Sequence, residues 1–336
     1  MIRTGCIAVV FGLSMGMMAG AQTDSPAGRL EAASALTALD SIDTKPWHLK
    51  LEVTVIDETK VPNEGTIEVW HSSAEQRIVY TFGDATSTTL QHDGKSYYSP
   101  AGPRVPFEAR EILKEFIHPG PRLAEMDGTV PELRKQKFGN IEFDCVMLTQ
   151  TIKGSSPAPL GLFPTYCMSN GIIRVTYNFG GRTVVLNSIG TFLGHDVATD
   201  AKISEGKVDI ATAKVVTLAT YTPQPDEFLP ATNMVQKGTT ARIAGGVIAG
   251  SRLSFVEPVY PQSAKMAHQS GTVVLHAIIG PDGHIHSLRP MSATYPDFVF
   301  AAIAAVRQWV YRPYLLNGEP TEVDTTITVN FALNGG

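Results

Sequence analysis

Apolar and polar side chains alternate at every second residue near both ends of this chain, and that pattern constrains the fold more than any other feature. Leu49, Leu51, Val53 and Val55 are interleaved with Lys50, Glu52 and Thr54, and Val323, Thr325, Ile327, Val329, Phe331 and Leu333 mark one side of the last run. Successive side chains of a strand point to opposite faces, so such runs specify half-buried β-strands. Similar runs occupy residues 65–71, 76–82, 87–99, 141–149, 172–179, 183–193 and 208–221. Asp93-Gly94 and Gly180-Gly181 read as hairpin turns, since the favoured two-residue turn needs positive φ at both central positions. Helical spacing is confined to short stretches. Leu30, Ala33, Leu36 and Leu39 give residues 27–42 one apolar side, and residues 106–118 carry Pro106 at a first helical turn.

The chain has 336 residues, a length that suits two domains. Residues 222–240 hold three prolines and no period, and are expected to link a β-rich domain over 22–221 to a second domain over 241–336. A hydrophobic share of 43% against 18% charged excludes a wholly disordered chain. With a net charge of −5 and no run of Lys or Arg, nucleic acid is not expected as a partner. Arg3, the apolar stretch from Cys6 to Met18 and Ala19-Gly20-Ala21 form the pattern of a secretory signal peptide over residues 1–21. Export to a periplasm follows. The competing reading is an uncleaved inner-membrane anchor facing the periplasm, but the stretch falls short of the ~20 apolar residues that a span needs. Cleavage leaves Cys145 and Cys167, and an even pair in an oxidising compartment suggests one disulfide; two buried thiols are the alternative.

Beyond the first 21 residues, G-x-S-x-G, G-x-x-x-x-G-K-[ST], H-E-x-x-H and C-x-x-C are absent. Gly245, Gly246 and Gly250 follow no strand of a βαβ unit and are not read as a phosphate loop. His284 and His286 share one side of a strand, with His276 near them on a neighbour, a spacing that could hold a metal. They are read instead as solvent-facing residues beside a turn, and His92-Asp93 and His195-Asp196 as polar turn residues. No catalytic residue, metal or cofactor is expected, and enzyme is the least favoured class.

Two segments of the first domain carry a family resemblance: Gly65-Thr66-Ile67-Glu68-Val69 followed by Arg77, and Asp93-Gly94-Lys95-Ser96-Tyr97-Tyr98. With the order of strands around them, they resemble the half-barrel of the LolA-like periplasmic lipoprotein carriers. That resemblance implies an apolar concave face able to bury an acyl chain. The plainer reading is a β domain whose inner face, with Trp70, Tyr80, Phe82, Tyr177 and Phe179, is simply core.

The last domain is the more informative. Pro261 can open a helix running through Ala267, which Gly271 would end, and residues 272–279 form a strand with Val273, Leu275, Ala277 and Ile279 on one face. Gly280-Pro281-Asp282-Gly283 is a tight turn into a returning strand over 284–292. A helix from Pro296 or Asp297 follows, striped by Phe298, Ala301, Ala302, Ala305 and Trp309, with Ile303, Val306 and Val310 beside the stripe. After an Asn317-Gly318 turn comes the final alternating strand. The fold class is therefore α+β: an N-terminal antiparallel, half-barrel-like domain plus a small α-β-β-α-β unit with a three-stranded antiparallel sheet.

Pro258-Val259-Tyr260-Pro261, Ala264, Gly271-Thr272-Val273-Val274, Asp282-Gly283, Ala305-Val306-Arg307-Gln308-Trp309-Val310-Tyr311-Arg312-Pro313, Asn317-Gly318 and Val329-Asn330-Phe331-Ala332-Leu333 together resemble the TonB C-terminal domain. The resemblance covers about 90 residues with regular spacing. Most of these positions are read as fold-keeping: Tyr260 and Trp309 as aromatic packing between helix and sheet, Arg307 and Arg312 as partners of carboxylates at the helix end. The function that the resemblance implies is carried by main chain, with the TonB box of a TonB-dependent outer-membrane receptor adding as a strand to a free sheet edge. That edge would be the final strand, with Val323, Thr325, Thr326, Ile327, Thr328, Val329, Asn330 and Phe331 as partner-binding residues. Thr326, Thr328 and Asn330 would tune affinity, and proline at Ile327 is expected to abolish it. The ExbB–ExbD proton motor would be a partner only if the N-terminus stays as an anchor. Pairing of two copies through the same edge would give a homodimer. The runner-up reading is a LolA-like carrier or sensor of lipid or lipoprotein, with the TonB-like unit as a docking module.

Overall fold

The computed structural model describes residues 24–42, 45–56, 60–73, 75–99, 105–149, 163–178, 182–238 and 240–333. The signal-peptide segment and the Gly180-Gly181 turn lie outside the described residues. In the first half, helix α1 (Pro26–Thr37) precedes strands β1 (Trp47–Ile56), β2 (Pro62–Ser72), β3 (Glu75–Phe82), β4 (Ala85–His92) and β5 (Lys95–Tyr98). Helices α2 (Phe107–Ile117) and α3 (Leu123–Met126) intervene before β6 (Val130–Phe138), β7 (Ile141–Thr149), β8 (Thr165–Ser169), β9 (Ile172–Asn178), β10 (Arg182–Phe192), β11 (His195–Glu205) and β12 (Val208–Thr220). With β13 (Val235–Gln236) they make one sheet in the order β13-β5-β4-β3-β2-β1-β12-β11-β10-β9-β8-β7-β6. Every neighbouring pair is antiparallel.

The alternation decides which face is core. Leu49, Leu51, Val53 and Val55 of β1 are all buried, as are Ile67 and Val69 of β2. That apolar face is covered by the two longer helices. Ser25 caps α1 by accepting the Gly28 N–H at 3.0 Å, and Pro26 sits at its first turn. Leu30 and Ala33 are buried against the sheet, whereas Leu36, placed on the apolar side by the sequence reading, is 46% exposed because it lies roughly 120° around the helix from Leu30, off the face formed by Leu30, Ala33, Ser34 and Thr37. Helix α2 buries Ala109, Ile112, Leu113, Phe116 and Ile117 in the same core. The Asp93-Gly94 turn has φ of 49° and 69°, as its residue types require. Cys145 and Cys167 face each other across β7 and β8 and are joined by a disulfide.

The second half comprises β14 (Ala241–Arg242), α4 (Gly245–Ala249), β15 (Arg252–Ser254), α5 (Gln262–Met266), β16 (Gly271–Ile279), β17 (Ile285–Ala293), α6 (Pro296–Val306), β18 (Val310–Tyr311), β19 (Tyr314–Leu316), β20 (Glu319–Thr321) and β21 (Val323–Phe331). The sheet is β14-β21-β16-β17, four strands rather than the three expected. Three pair antiparallel as the alternation requires, and β14 adds in parallel at Val323 and Asp324. Its two residues are too short to show any periodicity. Gly271 does not end α5: the helix closes at Ala267, His268 takes the left-handed turn (φ 49°), and Gly271 opens β16. A Cβ at Gly271 would lie 2.6 Å from Thr294 and 3.2 Å from the Phe298 ring, so glycine is needed there for close approach. Helix α6 packs Phe298, Val299, Ala302, Ala305 and Val306 onto the sheet.

Residues 222–240 are more than a spacer. They contain β13, which pairs with β5 at Tyr97 and Tyr98. The two halves also share apolar packing, since Met147 and Phe163 of the first half belong to the core of the second.

Candidate partner-binding edge

Strand β21 places its side chains on two faces. Val323, Thr325, Ile327, Val329 and Phe331 are buried, while Thr328 and Asn330 are exposed and Asp324 and Thr326 half-buried. The main chain alternates as well, at right angles to the side chains. Glu322 O accepts the Ala241 N–H at 2.8 Å and Asp324 O accepts the Ile243 N–H at 3.0 Å, both on the side facing away from β16. Period two then turns the N–H and C=O of Thr326, Thr328 and Asn330 to that same outer edge. The main chains of Val323, Thr325, Ile327, Val329 and Phe331 face β16.

This sorts the eight residues expected to meet a partner. Five of them have side chains in the core and main chain committed to β16, so they hold the fold instead of presenting it. The Thr326 carbonyl abuts Gly245, where a Cβ would fall 2.1 Å from it. Among the described residues no strand pairs with the outer edge at Thr328 and Asn330. For the same reason Ile327→Pro is not a clean test, because the N–H it removes points to β16.

The remaining motif residues build the frame behind this edge. Tyr260 meets Phe298 and Phe331 edge-on at 5.5 and 5.8 Å, and its hydroxyl donates to the Gln269 carbonyl. Pro261 caps α5, and Pro258 lies in the irregular stretch before it. Trp309 Nε1 donates to Val256 O at 2.8 Å. Gly283 has φ of 78°, and its carbonyl accepts the Tyr311 N–H at 2.8 Å while Pro313 packs beside it. Burial pushes the Tyr311 hydroxyl up to about 12, with Arg252 opposing. Asn317 and Gly318 turn the β19–β20 hairpin with φ of 55° and 89°. Arg312 is exposed, and its backbone N–H donates to Ser251 O at 2.8 Å.

The histidines do not form the metal-like trio that their spacing allows. His276 Nε2 lies 2.9 Å from Asp324, whereas His284 and His286 flank Asp282 at 3.6 and 3.1 Å. Neither is fully solvent-facing, at 25% and 21% side-chain exposure. Burial raises the Asp282 carboxyl, and hydrogen bonding from His284 and His286 overcomes it, holding that carboxyl well below the ordinary range. His92 also has company: its Nδ1 sits 2.7 Å from Glu75.

Sequence reasoning missed the cluster that ties the two halves together. Arg182, at the start of β10, is 3% exposed and donates to Glu108 and Glu205, both at 2.8 Å, and to Glu111. Glu205 also takes the Arg307 guanidinium at 2.5 Å, from the end of α6. Burial raises the Glu205 carboxyl, and the two arginines bring it below the ordinary value. Glu111 goes the other way, with burial outweighing Arg182. Members that touch lie up to 102 positions apart, and the cluster runs from Glu108 to Arg307 with no shared pattern. Beside them, α2 and β17 border a cleft of about 460 Å³ with Arg110, Lys114, Tyr166 and Arg289 in its walls. No helix among the described residues is long and apolar enough to cross a membrane.

Comparison with known proteins gives one family match. Residues 256–333 match the family described as Gram-negative bacterial TonB protein C-terminal. No curated protein matches the chain. Among solved structures, a LolA superfamily protein from Nitrosomonas europaea is similar at 11% identity and a TM-score of 0.41, covering 61% of this chain and 98% of that one. A DUF1329 family protein from Desulfovibrio piger is similar at 11% identity and 0.39, covering 62% and 98%. Both scores lie below 0.5.

Proposed function

We propose that this protein is a periplasmic, non-enzymatic docking protein whose C-terminal sheet takes up a strand from TonB-dependent outer-membrane receptors. The observation that carries this reading is the outer edge of β21, where Thr328 and Asn330 turn main-chain groups away from β16 within the region that matches the TonB C-terminal family. An unpaired edge of this kind is a template for another strand. Affinity would come from main-chain hydrogen bonds and selectivity from the Thr326, Thr328 and Asn330 side chains. The carrier reading has less support, because α1 and α2 occupy the apolar face of the large sheet where an acyl chain would lie.

The test is Thr328→Pro in the full chain. Its N–H points outward, so proline removes a partner's hydrogen bond while every bond to β16 remains. Binding of a synthetic TonB-box peptide should weaken by about tenfold or more, the size of one or two lost hydrogen bonds, with Thr328→Ala near wild type. Undiminished binding to a folded Thr328→Pro protein rules the reading out. Coupling to ExbB–ExbD is a separate step, and it depends on residues 1–21. An intact mass lacking them, with the protein in the soluble periplasmic fraction, leaves docking without direct motor coupling; the full-length mass in the inner membrane adds the motor as a partner.

A further inference from the structure

The outer edge of β21 is already half occupied, and by this chain itself. Residues 235–238 and 240–249 lie as a strap across both sheets. β13 closes the side of β5, and the Lys237 N–H donates to Ser96 O at 2.7 Å. Lys237 Nζ then reaches Glu322 at 2.6 Å, and Thr240 Oγ1 donates to the other oxygen of Glu322 at 2.9 Å. β14 pairs in parallel with Val323 and Asp324 through the Ala241 and Ile243 N–H groups. Thr325 Oγ1 donates to Ile243 O at 2.7 Å. Gly245 presses on the Thr326 carbonyl, and Ile248, with Ile243 beside it, anchors the strap in the core.

We propose that this strap is an internal occupant of the docking edge, which an incoming receptor strand must displace to gain more than the Thr328–Asn330 end. The inference rests on the docking reading above. Its physical basis is the arithmetic of strand addition. Two outward residues offer at most four main-chain groups, too few to hold a peptide without the rest of the edge. The strap blocks that rest with a two-residue ladder, a weak competitor compared with β16 on the other side. The masked edge also explains how a Thr-rich strand avoids pairing between copies before a receptor arrives.

The experiment compares three forms of the full chain. Arg242 and Asp324 are register partners on neighbouring strands, about 4.8 Å apart along the hydrogen-bonding direction and so within disulfide reach, and Arg242→Cys with Asp324→Cys forms a reversible lock. Gly245→Val releases the strap, because the new Cβ would meet the Thr326 carbonyl. Two probes are used: a synthetic TonB-box peptide, and a synthetic peptide copying residues 238–248 of this chain. The oxidised lock should bind the TonB-box peptide about tenfold or more weakly than wild type and recover under reductant, with identically reduced wild type as reference. Gly245→Val should bind it more tightly, and should capture the strap copy that wild type refuses. Equal TonB-box affinity in locked, wild-type and released proteins overturns the strap and leaves docking intact. Capture of the strap copy by Gly245→Val, with no TonB-box binding by any form, overturns docking and keeps the strap. If neither peptide binds any form, both fall. If Gly245→Val fails to fold, the lock and its reversal decide the question alone.

Discussion

Replacing Arg182 with methionine tests whether the buried ion cluster holds the molecule together. The guanidinium is 3% exposed, lies 5.3 Å from the Phe107 ring centroid, and answers three carboxylates. Its removal does not affect them equally. Glu205 keeps Arg307 at 2.5 Å, but Glu108 and Glu111, 15% and 25% exposed, lose their shared cation in a largely buried site. Breaking a buried pair by deleting one partner costs about 3–5 kcal/mol, because the other charge is stranded. The loss should depend on pH in a definite direction. Burial already raises the Glu111 carboxyl above the ordinary 4.5, so its stabilising contribution is complete below that value and is lost as pH rises through the folded value. Without Arg182 the rise is larger, and the deficit opens from about pH 4.5 upward. Urea unfolding of Arg182→Met should therefore show the full loss at pH 7 and a smaller one near pH 5. Adding Glu111→Gln should recover about 1–2 kcal/mol at pH 7. A loss below about 1 kcal/mol, or one unchanged between the two pH values, refutes the idea that stranded carboxylates set the cost.

Two further outcomes follow from the frame behind the edge. Gly283→Ala should cost about 2 kcal/mol or more in denaturant unfolding, since it imposes a Cβ both on a left-handed φ of 78° and against the Tyr311 carbonyl; a near-neutral effect would contradict both constraints. Because burial raises Tyr311 to about 12, its contribution is complete below the ordinary 10 and is lost as pH rises through the folded value. Stability should decline above pH 10, and Tyr311→Phe should flatten part of that decline; superimposable profiles would show that Tyr311 does not titrate differently on folding.

Much of the fold is legible in the chain itself. The run from Ile141 to Thr149 is a strand with those bounds, and the last strand buries Val323, Thr325, Ile327, Val329 and Phe331 as its alternation marks, but it ends at Phe331 and leaves Leu333 outside, half-buried. Strands β6, β8 and β11 are harder to see. β6 is a charged edge strand with Glu132, Arg134, Lys135 and Lys137, so it has little apolar alternation to read. β8 is five residues long and buried on both faces, and β11 is interrupted by Asp196 and Asp200 in its alternation.

By itself the sequence determined what is local. Period two sets which side chains of β21 share a face, and residues such as Asp93-Gly94 and Asn317-Gly318 set where the backbone must turn, because φ and side-chain direction follow from each residue and its near neighbours. Only the tertiary structure decided which main-chain groups of β21 look outward, since that depends on whether Gly271–Ile279 or Ala241–Arg242 lies beside them. Alternation is the same for a strand paired on either side. Likewise, nothing within reach of Arg182 along the chain foretells Glu108, Glu111 and Glu205: the register of β10 on β11 sets Glu205 opposite Arg182, and the packing of α2 on the sheet brings in Glu108 and Glu111.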